Sequence, residues 1–135
     1  KSNDIPQRML SQDPFSQWLG IEILKVNPGY CKLGLTVRAD MLNSMQKAHG
    51  GIAYALADTA FGFAANTHGR FAVSIESSIN HIEALHEGDY ITAETRADIT
   101  KNKLGFGEVE LRLKNKVIAI FKGVVYRTSK EWRDD

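Results

Sequence analysis

Cysteine is almost missing from this sequence: Cys31 stands alone. One thiol closes no internal disulfide, and without nearby His or Cys ligands it forms no zinc pattern, so a reducing, cytoplasmic location is expected. No stretch approaches about eighteen consecutive apolar residues, which argues against a membrane-spanning helix. The first thirty residues also lack the basic start and apolar run of an export signal. Charge of one sign is nowhere concentrated: seventeen basic residues stand against sixteen acidic ones, a net +1. Without a basic face or a like-charged block, nucleic acid is not an expected partner. Repeats, linkers and low-complexity segments are absent, as are the GxSxG elbow, the HExxH motif and a Cys with a matched His.

What is present is an ordinary globular composition, 43% hydrophobic and 24% charged over 135 residues, enough for one domain spanning 1–135. DPFSQWLG, residues 13–20, opens on a capping Asp13 and carries Phe15, Trp18 and Leu19 at helical spacing before Gly20, which predicts a short helix. IEILKV and YCKLGLTV flank Asn27-Pro28-Gly29 and predict an antiparallel hairpin. After a loop with Asn43 and Ser44, the Ala-rich run from Gly50 to Gly69 reads as one long helix. Its apolar residues (among them Ile52, Leu56, Ala57, Ala60, Phe61 and Ala64) cover nearly the whole circumference, the mark of a buried central helix. From Arg70 onward the pattern turns to period two and short apolar runs. Turns at His86-Glu87-Gly88, Lys101-Asn102-Lys103 and Asn115-Lys116 divide it into four strands. The predicted class is α+β, an antiparallel sheet wrapped around one buried helix.

Asp58 falls in the middle of that apolar helix, where a carboxylate must be hydrogen-bonded, paired or open to a cleft. At the helix entry stands His49-Gly50-Gly51. Glycines there let a ligand reach the backbone, and the free N–H groups and positive dipole end favour developing negative charge, the requirements of an oxyanion hole. Asp58 lies eight residues beyond Gly50, about 12 Å along the axis. One water does not bridge that gap, so if both groups serve one reaction they come from two antiparallel copies of the helix, in a symmetric dimer.

The segment NSMQKAHGGIAYALADTAFGFAANTHG resembles the signature of the hotdog-fold acyl-CoA thioesterases related to the phenylacetate-degradation enzyme. In that family an Asn precedes HGG and L-A-D-T-A follows on the central helix; the element order agrees over about 13–128. The resemblance implies hydrolysis of an acyl-coenzyme A, with no metal and no cofactor beyond the coenzyme A of the substrate. It places carbonyl polarisation on the amide of Gly50 with Gly51 adjacent after His49, and the base or nucleophile on Asp58 of the other subunit. Orientation of the site or its water falls to Asn43, and a water-holding hydroxyl to Ser74, with Ser77 and Ser78 as competitors. The active unit it implies is a homodimer, with two dimers forming a homotetramer.

A thioester suits such a site, because its thiolate leaves with little protonation and one carboxylate plus one oxyanion donor suffice. Candidate contacts to the coenzyme are Lys101, Lys103 and Arg127, with Lys130 beside them, and Gly105, whose missing side chain lets a pantetheine arm approach. Tyr54 and Phe61 are candidates to line an acyl pocket, although at helical spacing they also fit a plain core. His81, Glu83 and His86 superficially suggest a metal cluster; a polar strand end explains them as well. Two alternatives accompany the thioesterase expectation: a dehydratase or hydratase of the same fold using His49, and a non-catalytic acyl-CoA-binding domain.

Overall fold

The computed structural model describes residues 4–133, so both extreme ends of the expected 1–135 domain lie outside the described residues. Two short helices come first, α1 (Ile5–Ser11) and α2 (Pro14–Leu19). Asp13 caps α2 as predicted, accepting the Ser16 N–H at 3.0 Å. The sequence pattern did not announce α1, which is only seven residues long. A proline in its first turn suits a helix start, and burial of Ile5 holds it. Next come the hairpin strands β1 (Glu22–Asn27) and β2 (Tyr30–Thr36). Gly29 takes φ 72 after Pro28, the conformation a tight proline–glycine turn demands.

The long helix α3 (Gly50–Asn66) runs for 17 residues and stops three short of the predicted Gly69. The stop has a physical cause: Asn66, 2% exposed, donates to the carbonyls of Gly62 and Ala72, and its oxygen accepts the Ala72 N–H and the Trp132 indole. Four strands follow, β3 (Arg70–His81), β4 (Tyr90–Thr100), β5 (Leu104–Leu113) and β6 (Lys116–Glu131). The six strands form one antiparallel sheet in the order β1-β2-β4-β5-β6-β3, so β3 is an edge despite being third in sequence. β6 outruns its predicted end because β3 pairs with it as far as Glu131.

The inner face of the sheet covers α3, whose Leu56, Ala57 and Ala60 are fully buried. Phe61, 3% exposed, lies flat against the backbone of β5 and β6. A methyl group on Gly107 or Gly123 would stand 2.5 or 2.6 Å from its ring carbons, so glycine is required at both. Two of the candidate contact residues thus sit in the core: Phe61 packs on β5 and β6, and a Cβ on Gly105 would point inward, 2.9 Å from the Val125 side chain. No helix among the described residues is long and apolar enough to cross a membrane.

Gly107→Ala is expected to destabilise the fold by about 1–3 kcal/mol through overpacking. Phe61→Ala should cost about 3–5 kcal/mol. The double variant should lose less than the sum, because the cavity left by the ring accepts the new methyl; urea unfolding of the four proteins measures the coupling.

Candidate active site

The loop entering α3 is organised by Asn43. Its Oδ1 accepts the N–H groups of Met45 at 2.9 Å and Lys47 at 3.2 Å, and its own N–H donates to the Lys47 carbonyl at 2.7 Å. With that oxygen committed to the turn, Asn43 can offer a ligand only its amide N–H groups. His49 is the N-cap, extended at φ −58° and ψ 138°. Its Nδ1 accepts the Gly51 N–H at 3.2 Å, which in the neutral ring puts the proton on Nε2. The Ile52 N–H reaches the His49 carbonyl at 2.9 Å. Gly50 is left as the first-turn amide without an acceptor among the described residues. The Gly50 and Gly51 expected from the sequence thus separate into one free donor and one capped one. Gly50 opens into a cleft of about 280 Å³, with Asn43, Lys47, His49, Ala53 and His81 in its walls.

Asp58 sits two turns farther along α3 and is no part of that cleft. It accepts a hydrogen bond from Ser74 Oγ at 3.3 Å. Of the three serines weighed for this contact, Ser74 is the one that makes it; Ser77 instead bonds the Tyr54 hydroxyl at 2.6 Å. Burial pushes the Asp58 carboxyl above its usual range, and the Ser74 hydrogen bond pulls weakly the other way.

The two serines share a face because β3 carries a β-bulge. Ser74 stands opposite Val125 and Glu76 opposite Val124, which leaves Ile75 as an extra residue. Beyond it, Ser77, Ile79 and His81 face inward, opposite Gly123, Phe121 and Ala119. One row along β3 therefore follows α3 in reverse: Ser74 at Asp58, Ser77 at Tyr54 and His81 at Gly50.

The remaining predicted residues disperse. Tyr54 is partly exposed, its ring 5.7 Å from Phe121. Arg127 clamps the β4–β5 turn, donating to the Lys101 carbonyl at 2.6 Å, with Arg70 on the Asn102 carbonyl beside it. Desolvation and the neighbouring Arg70 lower the Arg127 pKa. Lys101 and Lys103 are exposed on that turn, so the basic group is clustered. The suggested metal trio breaks up: Glu83 pairs with Lys116 at 3.3 Å, His86 approaches Asp89, and His81 turns to Gly50. Among the described residues no group of three or more His, Cys, Asp or Glu side chains could hold a metal ion. The sequence did not single out His81 as a wall of the Gly50 cleft. Strand alternation counted from Ser74 puts it on the wrong face, and only the bulge corrects the phase.

Because its folded-state pKa is raised above the usual 3.8, Asp58 stabilises the fold while protonated and loses that contribution as pH climbs through the raised value. Asp58→Asn, neutral throughout, is expected to melt above the parent at neutral pH and above. The difference should close as pH falls toward 3.8; thermal scans across pH test this, and a parent that melts higher at alkaline pH contradicts it.

Comparison with known proteins places this geometry in context. The thioesterase superfamily profile matches residues 45–120, which contain the helix entry, all of α3, and the edge strand. The Escherichia coli acyl-coenzyme A thioesterase PaaI is 33% identical over 88% of this chain and 86% of its own. The solved structure of the E. coli PaaI protein from the phenylacetic acid degradation operon superimposes with TM-score 0.93 at 30% identity, covering 96% of this chain and 95% of that one. A solved Thermus thermophilus protein gives 0.82 at 36% identity, over 86% and 98%. With the sheet curled on its helix as in the hotdog thioesterases, and with the matched segment carrying both Gly50 and Asp58, the chain belongs to the thioesterase superfamily.

Proposed function

We propose that this protein hydrolyses an acyl-coenzyme A to a free acid and coenzyme A, at a site built from the Gly50 cleft of one subunit and Asp58 of another. The observation that carries it is a free helix N-terminal amide in a cleft, with a desolvated carboxylate on the same helix. The activity named for the E. coli relative agrees with it. In the reaction, Gly50 N–H holds the thioester oxygen and Asp58, set by Ser74, takes a proton from water. The hydroxide adds to the carbonyl carbon; the resulting intermediate expels the coenzyme A thiolate, and the acid is left. His49 and Gly51 shape the helix entry, and Asn43 donates to the substrate or its water. Lys101, Lys103 and Arg127 form the positive end suited to the coenzyme phosphates, and Tyr54 borders the acyl group. Neither a metal nor a further cofactor is needed.

The dimer rests on distance and on an edge. Gly50 and Asp58 are about 12 Å apart along one helix, and β3, which flanks both, leaves its outer edge unpaired with Val73 and Ile75 exposed at 53% and 56%. An exposed apolar edge invites another strand. A second copy pairing there brings two antiparallel α3 helices side by side, and two such dimers make the tetramer.

Asp58→Asn should lower turnover of the best acyl-CoA by about two to four orders of magnitude while keeping the fold; unchanged thiol release would remove Asp58 from the chemistry. The acid limb of kcat/KM against pH should lie above the ordinary carboxylate range. Ser74→Ala should move it higher still, because the lost hydrogen bond favoured the ionised form.

Subunit mixing tests the shared site. Gly50→Pro deletes the donor N–H at the first helical position, where proline is tolerated, and His49 already has the extended backbone that a following proline requires. Each variant alone should be nearly inactive. Refolding them together in equal amounts should restore activity to about a quarter of wild type, since half the dimers are mixed and each holds one intact site. No recovery from folded, mixed dimers would sink the two-subunit mechanism, as would a monomer in light scattering.

A further inference from the structure

The oxyanion site described above has one backbone donor, because the Gly51 amide is capped by His49. A tetrahedral oxyanion has room for two. The side chain of His81 reaches Gly50 from β3: a Cβ built on Gly50 would lie 3.4 Å from its Nε2 and 3.5 Å from its Cε1. His81 shares the cleft walls with Asn43 and Gly50. Its ring makes no hydrogen bond and no ion pair among the described residues, unlike its neighbours Glu83 and His86. Both its nitrogens are therefore available to a ligand. The Ile75 bulge aims it at the helix entry, and the inward register opposite Ala119 fixes the strand beneath it.

We propose that His81 is a second oxyanion donor, its Nε2–H converging with the Gly50 amide on the thioester oxygen. This rests on the thioesterase reading of the site. The neutral ring suffices, since His81 donates a hydrogen bond and transfers no proton: water still gives its proton to Asp58, and the sulfur leaves as thiolate. Such a donor acts most strongly on the charge that develops in the transition state, so its loss appears in kcat with KM little changed.

The test compares His81→Phe, which keeps a ring and deletes the donor, with His81→Gln, whose Nε2 amide occupies nearly the same point. His81→Phe should lower kcat for the best acyl-CoA about a hundredfold at similar KM. His81→Gln should recover most of that loss, and both should melt close to wild type because the ring makes no hydrogen bond or ion pair among the described residues that the fold would lose. If His81→Phe proves unfolded, His81→Ala takes its place as the donor-less variant. A wild-type kcat in the donor-less variant, a change confined to KM, or a Gln variant as impaired as the Phe variant overturns the assignment while leaving the thioesterase reading intact. A wild-type protein that releases no thiol from any acyl-CoA in a panel overturns both.

Discussion

Everything in this molecule follows from a helix that cannot be left in water. The apolar surface of α3 runs nearly all the way round, so it must be enclosed, and a sheet encloses a helix only by curling over it. The curl brings the backbones of β5 and β6 into contact with the Phe61 ring, and glycine at 107 and 123 is what permits that approach. Enclosure by an open sheet is necessarily incomplete. Where the sheet ends, at β3, one stripe of the helix is left at the rim, and there the sequence places Gly50, Tyr54 and Asp58. The polar stripe and the sheet edge coincide because both mark the limit of the burial that the fold can supply.

That position at the rim sets the ionisation of Asp58. A carboxylate in the centre of the core would stay protonated, and one in open water would have no reason to be raised. Asp58 lies between, desolvated enough to strengthen it as a base yet held by a hydroxyl that favours its ionised form. The amide of Gly50 is free for a similarly local reason: the His49 cap consumes the neighbouring donor and leaves this one facing the cleft.

Most of the architecture was legible in the sequence because it is written in strong local signals. Asp13, the Asn27-Pro28-Gly29 turn and the apolar run around Leu56 and Ala60 each specify their element without help from the rest of the chain. What was not legible depends on partners distant in sequence. Helix α1 needs the surface it packs on, α3 ends early because Asn66 meets Ala72 and Trp132, and glycine is required at 107 and 123 because the Phe61 ring, far from both in the chain, packs on them. Within the site, Asp58 and Gly50 stood out as a carboxylate and a glycine in unusual surroundings. His81 did not, since a histidine at a strand end has no unusual surroundings until the fold provides them.

The single extra residue in β3 has a consequence for how this sequence can vary. Side chains on a strand alternate like teeth on a zip, and Ile75 is a half-step in that zip. Ahead of it the teeth facing the helix include Ser74; behind it they include Ser77 and His81. Removing one residue there, or adding one, would leave every amino acid of the site in the chain and yet turn one end of the row outward. The spacing between residues 74 and 77 is thus as much a part of the site as the residues themselves. Substitutions along β3 can be tried one at a time by ordinary evolutionary drift, whereas a change in its length would break several contacts in one step.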